Sequence, residues 1–193
     1  IASSPYANLS GLPITKNIPG VNDGALADKS YIDLDNEGVD SDSHGAVRSI
    51  KRGAGLTDTD PVFNVDKPGS KVQFYNITVD GDNRDSKSPL IDVSNGTVVF
   101  NAGTTVKNSK VSGTDMAGAV RVSGNGNLNL NGQGGAVNIT DNESTDNGSA
   151  IVIESAPGTH PVSVNGEVQI VNNVNKDGKA NINIEKTYLW VES

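Results

Sequence analysis

Several things are scarce in this chain of 193 residues. It has no cysteine, one methionine and one tryptophan. Without cysteine there are no disulfide staples, no thiolate nucleophile and no Cys-ligated zinc. No segment approaches the roughly 20 apolar residues of a membrane helix, and no signal-peptide pattern is present, so membrane insertion is not expected. The chain begins with Ile1 rather than Met and reads as a piece of something longer. Positive charge is also scarce: 15 Lys and Arg stand against 23 Asp and Glu, a net charge of −8. A nucleic-acid partner would require a basic stripe, and none is visible. The acidity is scattered, as on a soluble, self-repelling surface. Aromatic residues make up only 4% of the chain, too few for the thick core of a compact globule.

Regular alternation is abundant. Residues 118–131, GAVRVSGNGNLNLN, read as two short strands joined by Ser-Gly-Asn-Gly. Similar stretches recur before and after. The last apolar residues of the first strands are Val65, Val93, Val122, Ile153 and Ile184, at steps of 28, 29, 31 and 31. A second series, Ile77, Val106, Ile139 and Ile170, follows at steps of 29, 33 and 31. Two phase-locked series of this period are the signature of a stacked repeat. The repeats are built of Val, Ile, Asn, Gly, Ser and Thr, and no apolar run keeps helical spacing over three turns. About three short strands per repeat, divided by Gly, Asn and Asp turns, describe an all-β protein of the right-handed parallel β-helix type. About six coils fit the length, counting a less regular start. The fill predicts one inward column of Val65, Val93, Val122, Ile153 and Ile184, and another of Phe63, Ile91, Val120, Ile151 and Ile182. Asn108, Asn142 and Asn172 or Asn173 fall at similar points after the third strand, where stacked amides can form a ladder. A β-sandwich with irregular loops shares the composition, but the repeat favours the solenoid.

Three segments follow from this pattern. Residues 1–45 are an irregular N-terminal cap or linker with short strands such as SYIDL. Residues 46–186 are the β-helix. Residues 187–193 are a C-terminal cap or the start of another domain, with Trp190 placed to cover the open end.

Residues 46–83 run "strand, I-K-R, turn, P-V-F-N-V, turn, apolar strand, N-I-T-V-D-G". With G-A-V-R-V-S-G-N-G-N-L-N-L-N-G and the closing H-P-V-S-V-N-G-E-V-Q-I-V-N-N, they resemble coils of right-handed, pectate-lyase-like β-helix domains in large cell-surface adhesins of Firmicutes. The resemblance spans residues 46–186. It implies an extracellular domain, held at the cell wall through parts of the protein outside this chain. Such a domain would act as a monomer and bind a polysaccharide or a host surface glycoprotein without catalysis. Relatives of the same shape include polysaccharide lyases and glycoside hydrolases, so cleavage of a uronate-containing polymer is the alternative, and a passive stalk is another. His44-Gly45 and Arg48-Ser49-Ile50-Lys51 echo hydrolase motifs superficially. However, they are almost adjacent here, and the Asn-Thr-Asp and Asp-Asp pieces are missing.

Two groups of residues are candidates for a site. Asp33, Asp35, Asp40 and Asp42 form a loose oxygen cluster that could hold calcium, the one cofactor the sequence suggests. The EF-hand pattern fails at its twelfth position, which is His44. The outward face of the first strand column is the second group. Alternation places Asn64, Asp92, Arg121, Val152 and Asn183 outside, with Asp66, Ser94, Ser123, Glu154 and Glu185 two positions on. Coils about 4.8 Å apart make Asp92 and Arg121 neighbours, with Glu154 one coil further. This gives a charge-alternating strip for sugar hydroxyls or a uronate, with Arg121 as the donor fork. The charged loop carrying Arg84, Asp85 and Lys87 is expected at its border.

Overall fold

A computed structural model of the chain describes residues 31–34, 48–53, 56–113, 116–155, 161–184 and 189–191. The described residues form strands and turns with no helix, wound as a β-solenoid of about four turns. Three parallel ladders run along it. The first joins Phe63–Val65, the start of Ile91–Phe100, the start of Val120–Thr140, Ile151–Ser155 and Ile182–Ile184. The second joins Tyr31–Leu34, Lys71–Phe74, the later parts of Ile91–Phe100 and Val120–Thr140, Val162–Val171 and Leu189–Val191. The third joins Arg48–Lys51, Ile77–Asp80, Thr105–Lys107 and the ends of Val120–Thr140 and Val162–Val171. A narrow fourth ladder, Asp85–Ser86, Lys110–Val111, Glu143–Ser144 and Val174–Asn175, lies where each coil leaves the third sheet. The antiparallel pair Val174–Asn175 with Gly178–Lys179 ends it.

The coil count differs from the six expected. Four coils, beginning at Phe63, Ile91, Val120 and Ile151, supply all three main strands. Strands at either end, such as Tyr31–Leu34 and Leu189–Val191, add rungs to single sheets only. Dividing chain length by the repeat period counts these partial rungs as whole coils.

The central strand, Val120–Thr140, bends through two corners and pairs along its length with coils on both sides. Both predicted inward columns form in register. Val65, Val93, Val122 and Ile153 are at most 3% exposed, as are Phe63, Ile91, Val120 and Ile151. Burying each such side chain contributes roughly 1.5–3 kcal/mol. In the first coils the core also carries edge-on aromatic contacts, Phe63 on Phe74 at 5.1 Å and Phe74 on Phe100 at 5.4 Å.

The second series holds in register from Val106 through Ile139 to Ile170 and needs a shift of two residues only at its first member. The partner of Val106 is Val79, not Ile77, which lies opposite Arg48. The strand Ile77–Asp80 is buried at all four positions, so alternation could not mark its inward face.

The corners need close backbone approach. An added Cβ at Gly126 would collide with the Val93 carbonyl oxygen of the coil before, and one at Gly132 would collide with Glu167. At the corner after the third sheet, two neighbouring positions divide the work. Asn108, Asp141 and Asn172 take the left-handed turn, with φ of 55°, 56° and 57°. The next residues, Ser109, Asn142 and Asn173, are buried, and these carry the ladder. The Asn142 Nδ2 donates to Asn173 Oδ1 at 3.0 Å, and the Ser109 N–H donates to Asn142 Oδ1 at 3.1 Å. Asn142 and Asn173 therefore stack as expected, whereas Asn108 belongs to the turn.

Candidate functional site

The outward row of the first sheet forms in the predicted register: Asn64, Asp92, Arg121, Val152 and Asn183 lie opposite one another across successive coils. Glu154 lies opposite Ser123, diagonal to Arg121. The diagonal is short enough for a long side chain to span. Arg121 donates through Nε and Nη2 to Glu154 Oε2, at 3.0 and 2.6 Å. Its Nη1 lies 3.7 Å from Asp92 Oδ2. The structure thus brings together Asp92, Arg121 and Glu154 from three consecutive coils. Their side chains are 23%, 31% and 20% exposed, so the group is reachable from solvent yet partly shielded from it.

The surroundings set the electrostatics. Asp92 Oδ1 is buried without a hydrogen bond of good geometry. Burial raises the Asp92 pKa above the usual carboxylate range. Arg121 acts against this, Glu154 adds to it, and the Val93 backbone N–H favours the anion weakly. Val152 interrupts the polar row. It points outward by alternation, between the core residues Ile151 and Ile153, yet it is fully buried.

The raised pKa has a consequence for stability. The folded protein holds the Asp92 proton at a pH where the unfolded chain, with a value of about 4, has released it. The stabilisation from this group is full below the unfolded value and is lost as pH rises through the folded one. Asp92→Asn removes the titration. The stability of the native protein relative to Asp92→Asn should therefore fall as pH rises above about 4, measured by urea unfolding at a series of pH values. A relative stability that rises with pH would mean that the Arg121 ion pair outweighs burial.

Of the other predicted site residues, Asn64 lies in the same row, and the rest are placed elsewhere or lie outside the described residues. Asn64 is exposed opposite Asp92, and Asp66 is exposed beside Lys67, at 3.7 Å. The charged loop makes its own pairs: Arg84 with Asp82 at 3.2 Å, Asp85 with Lys110 at 3.3 Å, and Lys87 with Asp58 at 3.2 Å. None of these partners belongs to the strip. Of the suggested calcium ligands, Asp33 lies opposite Gln73 on the second sheet. Asp35, Asp40 and Asp42 lie outside the described residues, as does His44. Among the described residues no group of three His, Cys, Asp or Glu is arranged to hold a metal ion.

The fold defines the chain as a parallel β-solenoid with a short charge ladder on one outer face. Comparison with protein-family models, with curated proteins and with solved structures returns no match.

Proposed function

We propose that this chain is a β-helix domain of a bacterial cell-surface protein that binds a polysaccharide or a host surface glycoprotein without transforming it. The observation that carries this reading is the ladder of Asp92, Arg121 and Glu154, half-buried on a rigid sheet at coil spacing. Carboxylate and guanidinium groups alternating along a strip can each take a sugar hydroxyl. Two acids and one base leave this ladder at −1, within a chain of −8. Neutral or amino-bearing glycans are thus favoured over polyuronates. Contacts this few are weak singly, and repeated copies on a cell supply avidity.

A second reading, a passive spacer, is supported by the Arg121 fork, which already holds Glu154 at 2.6 Å. One experiment separates the two. A glycan array is probed with and without calcium, using native protein and Arg121→Lys, which keeps the charge but loses the fork. Strong loss of binding with little change in melting temperature is expected for a binder. Unchanged binding by Arg121→Lys and by Asp92→Asn moves any site elsewhere. Absence of binding leaves the spacer. Release of unsaturated or reducing sugars would replace both readings with an enzyme.

A further inference from the structure

The chain holds five Asn-Gly doublets: Asn95-Gly96, Asn125-Gly126, Asn131-Gly132, Asn147-Gly148 and Asn165-Gly166. In such a pair the unhindered glycine nitrogen can attack the asparagine side-chain carbonyl carbon. A C–N bond forms, ammonia leaves, and a succinimide ring results. Water then opens the ring to aspartate or isoaspartate. Closure requires a glycine N–H that is not locked in a ladder and an asparagine side chain that is free to swing.

Four doublets occupy stacked corners. Asn95 and Gly96 lie opposite Asn125 and Gly126, between the first and second sheets. Asn131 and Gly132 lie opposite Asn165 and Gly166, between the second and third. Asn131 is also tied by its side chain to Asn101 at 3.0 Å, and Asn165 accepts from Gln133 at 3.4 Å. The succinimide needs a backbone geometry that would break register with the neighbouring coil.

Asn147-Gly148 differs. It lies outside every strand, with Asn147 exposed in a bend and Gly148 buried. Among the described residues no hydrogen bond holds the Asn147 side chain or the Gly148 N–H. Only the Asn147 carbonyl is engaged, accepting from Asn175 Nδ2 at 3.4 Å. We propose that Asn147 is a self-modification site, converted through the Gly148 nitrogen to aspartate or isoaspartate with water as the sole co-reactant. The product carboxylate adds negative charge next to Asp146, whose Oδ2 accepts the Gly113 N–H at 2.7 Å. The charge of this seam thus changes with the age of the molecule.

The test incubates the folded protein in mildly alkaline buffer and follows each doublet by peptide mass mapping and isoaspartate methyltransferase labelling. A parallel sample is held in urea. In the folded sample Asn147 should convert at least an order of magnitude faster than the other four, and in urea the five should converge. Asn147→Gln should abolish labelling of its peptide without moving the melting temperature. Gly148 is left alone, because an added Cβ would collide with the Met116 carbonyl oxygen. Equal conversion of any corner doublet in the folded state overturns the proposal. So does an Asn147 that stays intact when folded but converts in urea.

Discussion

Val122→Asp should destabilise the domain by at least about 4 kcal/mol, as the carboxyl enters a water-free column. Val122 is fully buried on the central strand, in register with Val93 on one side and Ile153 on the other, both also fully buried. Among the described residues its neighbours in the core are buried and apolar, so the new group stays protonated or pulls water inward, and either costs free energy. A typical domain has only about 5–15 kcal/mol to lose. The solenoid transmits the damage, since each coil is held mainly by its neighbours. Asn127→Asp is the control, on an exposed position of the same strand, and should stay within about 0.5 kcal/mol. Chemical denaturation of the two variants gives the comparison. An unchanged midpoint for Val122→Asp would remove the position from the core.

Asn142→Ala should cost about 3 kcal/mol, although the residue is polar and the change is small. Asn142 is 1% exposed. Its Oδ1 accepts the Ser109 N–H, and its Nδ2 faces the Val106 and Thr140 carbonyls and Asn173 Oδ1, at 3.2, 3.0 and 3.0 Å. Truncation orphans a buried donor and loosens acceptors in three coils at once. Asn142→Asp discriminates further. It still accepts from Ser109 but turns a negative charge on three oxygen acceptors. It should be worse than alanine at neutral pH and should recover as acid protonates it. If both variants unfold like the native protein, the amide ladder is ornamental and the corner is held by backbone bonds alone.

The first sheet was legible in the sequence because its strands alternate cleanly. Phe63, Asn64 and Val65 are buried, exposed and buried, and the same rhythm recurs one coil on. The third sheet was less legible. Ile77, Thr78, Val79 and Asp80 are all buried, so two apolar residues competed for one core position and pairing with Val106 chose Val79. The corner was half legible. A run such as Val-Asn-Asn-Val offers two asparagines, and only backbone conformation separates the turn residue Asn172 from the ladder residue Asn173.

For the candidate site, the period and alternation fixed which residues share the outer row, because a parallel ladder in register turns sequence spacing into spatial neighbours. Asp92 beside Arg121 follows from that alone. Which carboxylate takes the guanidinium does not, because it depends on side-chain reach across a diagonal. The structure gives the short contacts to Glu154, not to Asp92 directly opposite. Burial is likewise a tertiary property. Val152 occupies an outward position by alternation and is nevertheless fully enclosed, and Asp92 keeps a buried oxygen that its place in the strand could not foretell. Sequence determined the order of residues along each face. The packing of coil on coil decided how far each of them is removed from water, and with that the strength of every charge on the strip.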